Sequence, residues 1–257
     1  EEAILHLALV LSDRVAIPLD PELSPADCGE LVKQVRAQAW IGKEVNADLE
    51  VPGYALADLR GAVTGGDRFG ARALSLLPAW ALARRVTPQT SAREPAAVLM
   101  TAGTTGPSKA VELSHGNVLS NVQSLLEVLH IGPRDRVLSP VPLANAFGYT
   151  VGLWATLLSG ARAVLVRSDS SDLCSQVESL ALSEEVTVIY GSPVAFAAFT
   201  KKVEPAAFAN LWVAACAAAA LDEETGAAFE ERFGIQPCEG YGLTECGPVV
   251  SFNVPGG

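Results

Sequence analysis

The run Thr101-Ala102-Gly103-Thr104-Thr105-Gly106-Pro107-Ser108-Lys109 gathers the residue types that hold a chain of phosphates. Gly103 and Gly106 let the backbone fold tightly, so that successive N–H groups point into one concavity, an arrangement that binds anions. The hydroxyls of Thr101, Thr104 and Thr105 add donors. Lys109 adds a positive charge on a flexible stem that can follow a polyphosphate. The order Gly-x4-Gly-Lys-[Ser/Thr] cannot be drawn through these residues, so this is not a Walker A loop. The residues alone also fit a polar Gly/Thr hairpin with no ligand.

A loop of this kind needs strands to hold its ends. The β-branched run 96–101 precedes it and the extended run 110–113 follows it. Further short runs at 137–141, 163–167, 186–190 and 211–216 alternate with segments of helical spacing. The clearest helix is expected over 117–130, where Val118, Val122, Leu125 and Leu129 share one face and Gly132-Pro133 supplies a stop. Residues 172–183 and 222–233 read as helices that open on the N-cap aspartates Asp172 and Asp222. This rhythm predicts an α/β fold, with largely parallel sheets flanked by helices. The alanine-rich stretch 214–220 sits between a strand and a capped helix and is not a linker.

Earlier in the chain, 15–19 and 39–41 read as strands around a helix over 25–37. Residues 51–93 mix glycine, arginine and alanine with no firm period, and no chemistry is placed there. Between Arg136 and Arg162 no residue is charged, which is about the length that crosses a bilayer. Pro140, Pro142, Asn145 and several glycines interrupt it, so a buried strand, a loop and a buried helix are expected, with no transmembrane segment.

With 257 residues, 49% of them hydrophobic, the chain is long enough for a large core. Its formal charge of −11 argues against nucleic acid and against anionic lipid heads as main partners. Cys28, Cys174, Cys216, Cys238 and Cys246 form no CxxC pair and have no histidines at metal-ligand spacing. Reduced thiols in apolar runs point to a cytoplasmic setting. No signal peptide is visible, and a start at Glu1-Glu2 without methionine leaves room for one removed by processing.

Two more segments complete a pattern with the loop. These are Glu239-Gly240-Tyr241-Gly242-Leu243-Thr244-Glu245, continuing Cys246-Gly247-Pro248-Val249-Val250-Ser251, and Pro140-Val141-Pro142-Leu143-Ala144-Asn145-Ala146-Phe147-Gly148. In this order and spacing the three segments resemble the signatures of the adenylate-forming superfamily: acyl-CoA and acyl-ACP synthetases, luciferases and peptide-synthetase adenylation domains. The wording of the Glu239 segment is similar to the fatty-acid members. The likeness is firm from about residue 96 onward.

The resemblance implies the large N-terminal domain of such an enzyme, in part. Residues 1–95 would be a partial first α/β subdomain and 96–257 the ATP/AMP-binding subdomain. The C-terminal small domain, with its adenylation lysine, would be absent. The activity implied is ATP-dependent activation of a carboxylic acid, a fatty acid in the nearest wording, as an acyl-adenylate. Transfer to a thiol, on CoA or acyl carrier protein, would follow. The alternative is a non-catalytic nucleotide- or acyl-binding module derived from such a ligase. ATP and Mg²⁺ are the cofactors implied.

By the same likeness Thr101, Ala102, Gly103, Thr104, Thr105, Gly106 and Lys109 hold the phosphates, and Glu245 ligates the magnesium ion, a hard cation suited to carboxylate and phosphate oxygen. Thr244 bonds the α-phosphate. Glu239, Gly240, Tyr241 and Gly242 lie along the nucleotide, with the Tyr241 ring against adenine. Ala217, Ala218 and Ala219 line the other face of the base, and Asn145, Phe147 and Ala217 border the acyl group. Lys109, Thr244 and Glu245 are the catalytic candidates. The chain departs from the family pattern at Ala102, Ser108, Ala110, Asn145 and Ala217, the last replacing a usual glycine and narrowing the acyl side by a methyl group.

Overall fold

The structure is a computed structural model that describes residues 2–20, 23–44, 48–86, 90–101, 109–166 and 172–254. It divides into two compact units, one of Glu1–Leu5, Val15–Asp20 and Ser91–Gly257, the other of His6–Arg14 and Pro21–Thr90. The first helix is α1 (Glu2–Leu11).

In the smaller unit, α2 (Pro25–Gln34) starts where the Ser24 hydroxyl accepts from the Asp27 amide, with proline in the first turn. It buries Cys28, Leu31 and Val32. The strands β1 (Trp40–Gly42) and β2 (Gly53–Ala55) pair in parallel. Three helices follow, α3 (Leu56–Ala62), α4 (Gly65–Ser75) and α5 (Ala79–Val86), in the stretch where no period is legible. A reciprocal cap between Thr64 and Asp67 opens α4. No residue of α3 or α4 is buried, so these helices lack the buried stripe on which a periodic signal depends.

In the larger unit, β3 (Pro95–Met100) and β4 (Ala110–Ser114) form an antiparallel pair of their own. Run 96–101 therefore does not join the parallel rhythm. Its connection to β4, residues 101–109, is shorter than the dozen or so residues of a parallel crossover. The strand expected at 15–19 reduces to one bridge, Ala16 to Ala97. Pro18 has no N–H to extend the ladder.

The helix α6 (His115–Leu129) leaves β4 through a reciprocal cap between Ser114 and Asn117. Its buried residues are the expected stripe, Val118, Val122, Leu125 and Leu129. It ends at Leu129, three residues before Gly132, because His130 adopts a left-handed conformation with φ 52° and its amide returns to the Leu126 carbonyl.

The main sheet then builds from β5 (Arg136–Ser139), β6 (Arg162–Leu165), β7 (Val188–Gly191), β8 (Val213–Cys216), β9 (Cys238–Gly242) and β10 (Val249–Phe252), in the spatial order β10-β9-β8-β7-β5-β6. All its pairs are parallel except β9 with β10. Between β5 and β6 runs a buried π-helix, Gly148–Ala155, continued by α7 (Thr156–Leu158). The connections onward are α8 (Leu173–Glu184), α9 (Pro193–Lys202) and α10 (Glu223–Phe233). Asp172 and Asp222 cap α8 and α10 as expected, accepting from Ser175 and Thr225.

Alternation along the strands divides the core. Val137, Val188, Tyr190, Val213 and Ala215 pack with α6 and the π-helix. Leu138, Ile189, Ala214 and Cys216 pack on the other face with α8, α9 and α10, where Phe196, Phe199, Phe208 and Phe229 cluster. The sheet is doubly wound, and strand order reverses beside β5, which lies between β7 and β6. Among the described residues no helix is long and apolar enough to cross a membrane. The five cysteines are free, with only Cys246 exposed.

Candidate functional site

In a doubly wound sheet the chain leaves β5 and β7 toward opposite faces, which opens a crevice at their carboxyl ends. The segment 140–148 leaves from β5, residues 217–221 from β8 and 242–248 from β9. Each candidate segment of the sequence that the structure describes therefore starts at the same edge of the sheet.

The loop between β3 and β4 is closed at its neck. The Thr101 amide donates to the Lys109 carbonyl at 2.9 Å, and the Lys109 amide donates to the Thr101 hydroxyl at 3.1 Å. The Lys109 side chain is exposed. Ala102, Gly103, Thr104, Thr105 and Gly106 lie outside the described residues.

After β9 the chain makes a tight turn. Thr244–Cys246 is a single 3₁₀ turn, held by Cys246 N donating to Leu243 O and Gly247 N donating to Thr244 O. The Leu243 amide returns to the Pro248 carbonyl at 2.9 Å. This closeness dictates Gly242, since a Cβ there would sit 2.2 Å from the Pro248 oxygen. Gly240 is crowded from the side by the Phe252 ring, 2.7 Å from where a Cβ would lie. The turn lies against β4, which starts at the residue after Lys109. Tyr241 is 59% exposed, so it is not a core aromatic. Glu245 is exposed as well, and Glu239 is half-buried.

At the end of β8 the Ala217 amide donates to the Gly191 carbonyl at 3.0 Å, which ties the loop to the end of β7. Ala217 is buried, while Ala218 and Ala219 are exposed. Ala218 has φ 75°, a left-handed conformation that costs an alanine about 1–2 kcal/mol. It presents backbone at the sheet edge.

On the β5 side, the Asn145 carboxamide oxygen accepts from the Phe147 amide at 2.8 Å. Phe147 is buried edge-on to Tyr190, with ring centroids 5.8 Å apart. A Cβ on Gly148 would be 2.2 Å from the Pro142 oxygen, so the π-helix starts in contact with the loop. The hydroxyls of Ser139, Thr150 and Tyr190 are buried and have no hydrogen-bond partner among the described residues. Burial, and secondarily the Asp135 charge, pushes the Tyr190 phenol well above its ordinary range. Composition gave no notice of these hydroxyls; the one cue is a tyrosine inside an otherwise aliphatic buried strand.

Among the described residues no group of three or more His, Cys, Asp or Glu side chains could cage a metal. A single exposed carboxylate at Glu245 fits magnesium, which keeps several waters and shares its coordination with phosphate oxygens.

The sequence pattern of the family described as AMP-binding enzyme matches residues 1–257. The medium-chain fatty-acid–CoA ligase of Escherichia coli (strain K12) is 26% identical over 267 residues, covering 99% of this chain and 46% of its own. Among solved structures, ATP-bound MatB from Rhodopseudomonas palustris matches with a TM-score of 0.74 at 19% identity, over 99% of this chain and 51% of the other. The N-terminal subdomain of Klebsiella oxytoca NpsA, in complex with 3-hydroxybenzoyl-AMSN, gives 0.79 at 20% identity, over 97% and 58%. The chain thus spans about half the length of these proteins.

Proposed function

Since the chain belongs to the AMP-binding enzyme family, we propose that it is the nucleotide-binding core of an acid–thiol ligase. Such an enzyme activates a carboxylic acid, here a fatty acid, with ATP and passes the acyl group to the thiol of CoA or of acyl carrier protein. Residues 96–257 form the ATP/AMP-binding subdomain in this reading, and 1–95 part of a first α/β subdomain. The observation that carries it is the meeting of two segments: the closed neck at Thr101 and Lys109 leads into β4, and β4 lies against the turn that bears Thr244 and Glu245.

A carboxylate oxygen forms a bond to the α-phosphorus of ATP, and the bond from that phosphorus to the pyrophosphate oxygen breaks. Negative charge moves onto the leaving group. The Lys109 ammonium and the hydroxyls of Thr101, Thr104 and Thr105 stabilise it, with the amides of Ala102, Gly103 and Gly106 as further donors. Thr244 donates to the α-phosphate and orients it. Glu245 would hold magnesium, which would supply further positive charge there when bound. The exposed Tyr241 ring lies on adenine, beside Glu239, Gly240 and Gly242, and the backbone of Ala217, Ala218 and Ala219 faces the other side of the base. Asn145, Phe147 and the Ala217 methyl group border the acyl end.

Two measurements test this. Excess ATP with Mg²⁺ raises the melting temperature, because a ligand that binds only the folded state stabilises it by mass action. Acid-dependent exchange of labelled pyrophosphate into ATP by the full-length protein then reports adenylation across acids of different length. No thermal shift at millimolar ATP overturns the reading. Binding without exchange for any acid would make the protein a nucleotide-binding module that has lost turnover.

A further inference from the structure

Among the described residues, the 3₁₀ turn Thr244–Cys246 is anchored from outside by a side chain that belongs to none of the three sequence segments. Asn121, on α6, donates from Nδ2 to the Val249 carbonyl at 2.7 Å and to the Cys246 carbonyl at 3.4 Å. Its Oδ1 accepts from the Val249 amide at 3.1 Å. A side-chain amide is the neutral group that can satisfy one peptide's N–H and C=O together. Here it does so across 128 residues of sequence.

Asn121 is next to Val122, part of the buried stripe that fixes α6. The turn also passes close to the helix, since a Cβ on Gly247 would be 3.5 Å from the Asn117 oxygen and 3.7 Å from the Asn121 Cβ. Helix α6 continues directly from β4, and β4 starts at the residue after Lys109. One continuous piece therefore carries Lys109 at its start and, in the middle of α6, the anchor for the Glu245 turn.

We propose that Asn121 is a positioning residue: it sets the Thr244–Cys246 turn at a fixed place relative to Lys109, so that the Glu245 carboxylate reaches the same metal-bound polyphosphate. The inference rests on the roles given to Thr244 and Glu245 above.

Asn121→Leu removes the donors and the acceptor. Asn121→Asp keeps the acceptor for Val249 N–H and loses both donations, and it serves if the leucine variant fails to fold. Amide hydrogen exchange of the ligand-free protein is the first readout. Peptides spanning 243–250 should exchange about tenfold faster or more in either variant, while β5, β7 and β8 keep their rates. The second readout is the dissociation constant of Mg·ATP in a double-mutant cycle with Glu245→Gln. Asn121→Leu should weaken binding about tenfold, and adding Glu245→Gln to it should cost much less than Glu245→Gln costs alone. A merely structural role for Asn121 leaves the two losses additive. Additive losses, or wild-type exchange across 243–250, overturn the proposal. If the unaltered protein binds no Mg·ATP, the reading of the site falls, and exchange alone decides whether Asn121 holds the turn.

Discussion

Thr101 and Lys109 bond to each other twice, amide to carbonyl in one direction and amide to hydroxyl in the other, and so close the neck of the loop between β3 and β4. The Thr101 hydroxyl thus sets where the Lys109 backbone leaves the loop. Thr101→Val keeps the shape and removes that acceptor. A hydrogen bond of this kind contributes about 1 kcal/mol net, so Mg·ATP affinity should fall roughly fivefold, with Thr101→Ser close to the original. Calorimetric titration of the three proteins checks this, and equal affinities would remove the neck from the site.

Lys109 and Glu245 are both exposed, and neither packs in a core cluster. Lys109→Ala and Glu245→Gln should leave stability within about 0.5 kcal/mol. In the full-length protein, each should lower acid-dependent pyrophosphate exchange about a hundredfold or more, as expected for groups that meet developing charge. Loss of the folded state in either variant would assign that side chain to structure.

Burial pushes the Cys216 thiol up to about 12, and the neighbouring Glu239 carboxylate adds to the rise. An unfolded chain ionises this thiol near its ordinary value of about 8.5. The raised group therefore favours the folded state fully below that value, and its contribution is lost as pH climbs toward 12. Between pH 8 and pH 10 the loss from this one group is about 2 kcal/mol. Urea unfolding should show the original protein weakening more over that interval than Cys216→Ala, which has nothing to ionise. Parallel curves would mean that the thiol is not held neutral by the fold.

What was legible in the sequence follows the range of the interactions. Asp172 and Asp222 act within one helical turn, and both cap the helices expected of them. The β7 and β8 strands are short apolar runs buried on both faces, a local pattern. Val15 to Leu19 has the same look, but a single proline limits it to one bridge. The π-helix Gly148–Ala155 reads only as a buried apolar segment, because its close packing against Pro142 and Ser139 is set by tertiary approach. Asn121 gave no local sign at all, since its partners are 125 and 128 residues away.

Tyr241 tests the base end of the site without disturbing the fold. The residue is 59% exposed at the end of β9, and its backbone pairs with Ser251 through atoms that a substitution keeps. An exposed aromatic between two close-packed glycines, Gly240 and Gly242, is an open platform rather than part of a core. Stacking of a base on such a ring contributes about 1–3 kcal/mol, judged from alanine replacements at stacking sites. Tyr241→Ala should therefore weaken ATP binding roughly 5- to 150-fold, while Tyr241→Phe, which keeps the π-face, stays near the original. Inorganic triphosphate, which has no base, should compete equally well for all three proteins. Equilibrium titration with ATP, and with triphosphate as competitor, separates the two ends of the ligand. Equal weakening of both ligands by Tyr241→Ala would mean that the ring shapes the phosphate end through the adjoining turn, and adenine would have to lie elsewhere.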